Sequence, residues 1–334
     1  MKKIFILLGI ISITLLLGCE SDWYPIYEDW LCTINIDGSD LEYIRNSFGN
    51  FLLSPDRQTL IEYTKNKFYS VSLNDLSSRT LLVDYGDDLS AIHKPALSNN
   101  SIVYFYHGDI YIYDISDADT NRIVSSMYPT LYKSLTISND GTKVAYSTKN
   151  DSLSSIILIN SDGSERNAIY KIENINLSKY YLKNPRFVDN DEEIVFSIYG
   201  NQYCTISDGI YSVNVEGNDF HCIVEDNYTD YITVSTDKDY ILYIFDGQIH
   251  LVGLNEIIDY ILDDTYNEFF FPSFSPNGQK ILYAKEDYPY IINSNGTNKY
   301  KLTDKLIGYT SPYYKESYFL DENKIIISLK KQIN

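Results

Sequence analysis

The chain has 334 residues, 46 acidic against 27 basic side chains, and a net charge of −19 with its four histidines neutral. A surface that negative repels phosphate backbones, which excludes nucleic acid as a partner. Hydrophobic residues make up 44% and the charges are scattered rather than blocked, so the chain can build a large core and lacks the profile of a disordered one.

At the start of the chain, Lys2 and Lys3 precede an apolar run from Ile4 to Leu17 that ends in Leu16-Leu17-Gly18-Cys19. A basic start, about 7–15 apolar residues and a small residue before the cut form an export signal, and the run falls short of the roughly 20 residues of a spanning helix. Leu-Leu-Gly-Cys resembles the lipobox of bacterial lipoproteins. That resemblance implies removal of residues 1–18, acylation of Cys19, a tether over residues 19–30, and membrane contact through the lipid alone. The expected location is the bacterial cell envelope, with Glu20-Ser21-Asp22 favouring the outer over the inner membrane. Cys32, Cys204 and Cys222 remain, an odd number for an oxidising compartment. Cys204 and Cys222 fall in one repeat and are the expected disulfide pair, provided their Cα atoms approach within about 7 Å. No Cys-x-x-Cys or Cys/His cluster occurs, so no metal site of that kind is expected.

From residue 31 the sequence repeats at the spacing of about 40 to 50 residues that marks a radial or stacked architecture. Ser54-Pro55-Asp56-Arg57-Gln58-Thr59-Leu60-Ile61-Glu62-Tyr63 is echoed at Ser138 to Tyr146 and at Ser275 to Tyr283, each a turn followed by an apolar strand. Weaker copies begin at Ser98, Asp189, Ser235 and Asp321, which makes seven copies. A second signature alternates with the first: Ile34-Asn35-Ile36-Asp37-Gly38, Ile159-Asn160-Ser161-Asp162-Gly163, Val213-Asn214-Val215-Glu216-Gly217 and Ile292-Asn293-Ser294-Asn295-Gly296. These are hairpin turns, where positive φ favours glycine preceded by asparagine or aspartate. Each repeat therefore reads as four antiparallel strands, one propeller blade.

Ser275-Pro276-Asn277-Gly278-Gln279-Lys280-Ile281-Leu282-Tyr283, followed by the turn Ser294 to Thr297 and the stretch ending at Asp304, resembles the WD40-like repeat of TolB-type propellers. The resemblance covers nearly all of residues 31–330 and implies an all-β β-propeller. TolB itself carries an α/β domain before its propeller, for which residues 19–31 are too few, so its Tol-Pal partnership is not carried over. Inner hairpins are expected near Phe51, Lys94, Ser134, Asn184, Ile232, Pro272 and Tyr318, and outer hairpins near Phe68, Ile110, Ile156, Ile210, Gln248 and Tyr290. The seventh outer hairpin is supplied by Leu31–Ile36 and Leu41–Arg45, so the two chain ends share one blade and leave no open sheet edge. The expectation is seven blades, with six as the alternative.

Strand alternation puts the long inter-hairpin and inter-blade segments on one face and the short Ser-Pro-Asp and Asp-Gly turns on the other. Variable loops on a rigid scaffold are where binding residues concentrate. Those segments carry Tyr180, Tyr181, Tyr199, Tyr203, Tyr228, Tyr231, Tyr266, Phe269, Phe270 and Tyr309 among acids and asparagines. Aromatic faces suit protein partners and sugar rings alike. The expected function is a monomeric binding or scaffold propeller that recognises an envelope protein or a glycan. The chain lacks a Gly-x-Ser-x-Gly elbow, and His93, His107, His221 and His250 fall in separate repeats, so no enzyme is expected. The alternative is a propeller lyase acting at the central channel, which would need a metal and a histidine base. No cofactor is expected beyond a structural calcium ion in the channel. The turn Asp189-Asn190-Asp191-Glu192-Glu193 lacks the twelve-residue calcium-loop pattern and reads as a solvated turn.

Overall fold

The computed structural model describes residues 26–46, 50–86, 92–125, 134–173, 180–200, 205–225, 229, 231–235, 239–254, 259–263, 269–305 and 317–333. Cys19, Tyr203, Cys204, Tyr228, Tyr266 and Tyr309 lie outside them. Asp29–Lys330 is one compact unit; the other comprises Met1–Glu28 and Lys331–Asn334. No helix among the described residues is long and apolar enough to cross a membrane.

The strands form seven four-stranded antiparallel sheets. Blade 1 begins with Phe51–Leu53, blade 2 with His93–Leu97, blade 3 with Leu135–Ile137 and blade 4 with Tyr180–Val188. Blades 5, 6 and 7 begin with Ile232–Val234, Phe269–Phe274 and Ser317–Phe319. Blade 7 joins the two ends of the chain: Ser317–Phe319 pairs with Lys324–Ile333, which neighbours Ile26–Asn35 and then Glu42–Asn46. The seven-blade expectation therefore stands, and the six-blade alternative does not.

Each second strand is apolar at consecutive positions because both of its faces are covered by neighbouring blades. In blade 6, Ile281 and Tyr283 pack towards blade 5, while Leu282 and Ala284 pack towards blade 7. Every one of the seven blade interfaces has its own apolar cluster, including Leu31 and Ile326 of blade 7 against Phe51, Leu60 and Val71 of blade 1. Tyrosine recurs near the end of the second strand, and in blades 3, 5 and 6 its hydroxyl is matched by a side chain. Tyr243 Oη donates to Asp259 at 2.6 Å, Tyr283 Oη donates to Asp263 at 2.8 Å, and Tyr146 Oη accepts from Arg166 Nε at 2.7 Å. Burial pushes the Tyr104 and Tyr283 hydroxyls far above the usual phenol range. In blade 1 the corresponding position is Glu62, 1% exposed and held by Arg45 at 2.8 Å and Arg79 at 2.9 Å.

The Ser-x-Asp turns close identically. Ser54, Ser138 and Ser275 donate to Asp56, Asp140 and Asn277, and accept from the amides of Thr59, Lys143 and Lys280 at 2.9–3.0 Å. Three pairs of neighbouring blades are tied together at that end: Asp56 N donates to Asn99, Asn139 N to Asp191, and Asn277 N to Glu322. The acidic turn 189–193 thus serves as a link between blades.

Candidate functional site

The innermost strands of all seven blades surround a central channel. The end where those strands begin is a cavity of about 270 Å³, and the end at the Ser-x-Asp turns is one of about 350 Å³. Leu53, Leu97, Thr136, Arg186, Thr233, Ser273 and Tyr318 border both and mark the junction. None of the described lining residues is acidic, and the charged ones are Arg186 and Arg57.

Three innermost strands reach the channel through the same device. The pairing register breaks between His93 and Ala96, between Lys183 and Arg186, and between Phe270 and Ser273, each time across a residue followed by proline. Proline lacks the N–H that an interior strand must donate, so it suits a bulge on the channel edge. In blade 4 the bulge puts Asn184 at φ 55°, with its amide donating to Ser134 Oγ at 2.7 Å. It then delivers Arg186 to the lumen.

Arg186 occupies one layer of the channel. The second-strand partners of that layer identify its counterparts as Leu52, Ala96, Thr136, Thr233, Ser273 and Tyr318, all neutral. Arg186 Nη1 donates to Pro185 O at 2.8 Å, and burial pulls the guanidinium pKa down, opposed by the fields of the Tyr231 and Tyr318 hydroxyls. Tyr231 closes the layer above by donating to Pro272 O at 3.2 Å. Arg57, at the far mouth, donates to Phe319 O at 3.1 Å; burial lowers its pKa and nearby Glu322 opposes that.

The expected aromatic surface is distributed differently. Tyr180 is a correction: it begins a strand instead of lying in a loop, is 3% exposed, and its hydroxyl accepts the amides of Thr205 and Ile206 at 2.6 and 3.0 Å. Tyr181 and Tyr199 are also strand residues, paired across the hairpin with ring centroids 5.8 Å apart and Lys149 Nζ 3.2 Å from the Tyr181 ring centroid. They remain together near the surface, away from the channel. Tyr231 is brought to the channel, and Phe269 and Phe270 lie on the first strand of blade 6. Cys222 lies exposed on the outermost strand of blade 4, while its expected partner Cys204 lies outside the described residues. Among the described residues no group of three or more His, Cys, Asp or Glu side chains is placed to hold a metal ion. His107 sits in a hairpin turn, His221 on an outer strand of blade 4 and His250 inside blade 5 beside Asp259 and Tyr243.

Sequence reasoning missed Arg186. Its signal was a lone cation immediately after Asn184-Pro185, at a repeat position that is neutral in every other blade.

No protein-family model and no curated protein matches the sequence. Solved structures do. An oligogalacturonate lyase from Vibrio parahaemolyticus is 12% identical with a TM-score of 0.63, covering 92% of this chain and 94% of its own. A putative TolB from Agrobacterium tumefaciens is 15% identical with a TM-score of 0.52, covering 92% and 100%. An oligogalacturonate lyase in complex with manganese is 12% identical with a TM-score of 0.60, covering 87% and 90%. The likeness is one of fold. At these identities it extends to the propeller and not to any ligand, metal or reaction.

Proposed function

We propose that this propeller is a lipid-anchored binding module of the bacterial cell envelope, attached through Cys19 to the outer membrane and engaging a protein or glycan at the end of the ring where the innermost strands begin. One observation carries the reading: the two ends of the ring are built on different principles. At one end, turns such as Ser54–Thr59, Ser138–Lys143 and Ser275–Lys280 repeat the same serine-centred hydrogen bonds. At the other, the connections between blades follow no common length, from 47–50 up to 302–316. A stereotyped end suits ring closure, and a variable end on a rigid frame suits recognition.

The dispersed histidines favour binding over catalysis, since general acid–base chemistry needs its groups within about 3 Å of one reacting atom. The test is capture from detergent-solubilised membranes, with a glycan array run in parallel. Replacing 302–316 by a short Gly/Ser linker should abolish capture, and capture that survives every such inter-blade replacement would refute the reading. The likeness to oligogalacturonate lyases supports elimination at the channel as the second reading. Manganese-dependent release of unsaturated products from oligogalacturonate by the intact chain would replace the first reading with the second.

A further inference from the structure

The geometry points to the channel junction at Arg186 and Asn184 as a binding site for a small organic monocarboxylate. Four observations converge on that chemistry. Arg186 is the one charged side chain in its layer, and its accessible surface borders both halves of the channel. No carboxylate lies within 4.0 Å of it among the described residues, and its one hydrogen bond there goes to Pro185 O. A guanidinium stays protonated even in such surroundings, so a cation without a counter-ion is held where desolvation is costly. That arrangement is unfavourable for the chain by itself and is relieved by an anion.

Asn184, two residues earlier on the same bulge, is 9% exposed and lines the same cavity. Its Nδ2 is buried without a hydrogen-bond acceptor. Buried amide donors are nearly always matched, so an orphan donor on the same bulge as an uncompensated guanidinium is a second group whose hydrogen bond an anion would complete. One delocalised positive charge with planar donors matches a planar monoanion, whereas a dianionic phosphate would keep a second charge unmatched in a low-dielectric space. Leu52, Leu97, Leu135, Ile232, Pro95 and Pro272 form apolar parts of the wall at that end, between hydroxyl-bearing positions such as Ser134 and Thr136, and give a short hydrocarbon stem a surface to lie on. A volume of about 270 Å³ admits an acid of a few carbons. The site lies inside the ring and does not depend on what the inter-blade segments recognise, so it stands or falls separately from the envelope-partner reading.

The experiment is calorimetric titration of the full chain in detergent with butyrate, with butyramide and inorganic phosphate as comparison ligands, alongside thermal melts of Arg186→Gln and Asn184→Gly. Asn184→Gly keeps the positive φ that the bulge requires. Butyrate is expected to bind saturably at one site, with butyramide and phosphate weaker by about tenfold or more. Arg186→Gln should weaken butyrate by at least about tenfold while melting no lower than the parent, and Asn184→Gly should weaken it by a few-fold. The proposal is overturned by no saturable butyrate binding, by phosphate binding as tightly as butyrate, or by undiminished binding to Arg186→Gln. It is equally overturned if Arg186→Gln melts several degrees lower or fails to fold, because the guanidinium would then be a structural tie.

Discussion

Arg45→Ala should destabilise the protein far more than Arg79→Ala, although both arginines contact the same oxygen. Glu62 Oε2 lies 2.8 Å from Arg45 Nη1 and 2.9 Å from Arg79 Nη1, and the Glu62 side chain is 1% exposed. Arg45 is 13% exposed, belongs to the N-terminal hairpin of blade 7, and also donates from Nε to Leu76 O at 3.0 Å. Arg79 is 30% exposed and belongs to blade 1. Breaking a buried ion pair by removing one partner costs about 3–5 kcal/mol, whereas a solvent-screened pair contributes about 1 kcal/mol or less. Arg79 remains beside Glu62 in the Arg45 variant, which places the loss at the lower end, about 3 kcal/mol. For a unit of this size that is a fall in Tm of about 5 °C, against about 2 °C or less for Arg79→Ala. Thermal melts at fixed pH and ionic strength read both. Equal losses would refute the claim that Arg45 forms the interface between the N-terminal hairpin and blade 1.

Four further outcomes follow from the geometry. Gly38 has φ 83°, and a Cβ there would lie 2.5 Å from Leu302 O in blade 6, so Gly38→Ala should cost about 2 kcal/mol or more in denaturant melts. Gly86→Ala, with φ 64° and open space around it, should cost only about 1 kcal/mol. Tyr180→Phe leaves the amides of Thr205 and Ile206 without their acceptor and should cost about 1–3 kcal/mol while leaving partner capture unchanged; lost capture at unchanged stability would return Tyr180 to a binding role. Burial opposes ionisation of Asp140, but hydrogen bonds from Ser138 and Thr142 outweigh it and hold the carboxyl below its usual range. Its contribution is therefore fully present above the unfolded value of about 3.9 and is lost as pH falls through the lower folded value. Asp140→Asn should flatten the dependence of stability on pH below about 4, and an unchanged slope there would contradict the assignment.

The ring was legible because its turns carry chemistry that few other structures need. A serine, an acid or amide two residues on, and a residue at positive φ recur at 54, 138 and 275, and each precedes a strand covered on both faces. Blade count and end-sharing follow from spacing alone. The candidate site was not legible, and the reason is the proline bulge. Lys94-Pro95, Asn184-Pro185 and Phe271-Pro272 read as strand starts, because proline ends most strands. The innermost strand instead continues through the bulge, taking in His93, Tyr180 to Lys183, and Phe269 to Phe270. Tyr180 and Tyr181 were therefore expected in a loop and Arg186 merely in a strand, whereas the bulge turns Arg186 into the channel. Burial of Tyr180 depends on the Thr205 and Ile206 amides folding back over it, a contact between distant segments that no local pattern announces.

Hydrogen exchange along the N-terminal strand tests the closed ring most directly, because Ile36 N donates to Asn323 O at 2.9 Å across the junction of the two chain ends. Strand amides locked into a closed ring exchange only through global opening. In a closed ring the amides of Leu31–Ile36 exchange as slowly as those of Ile241–Tyr243 in blade 5. Exchange of Leu31–Ile36 at the rate of a frayed terminus, with blade 5 still protected, would contradict it.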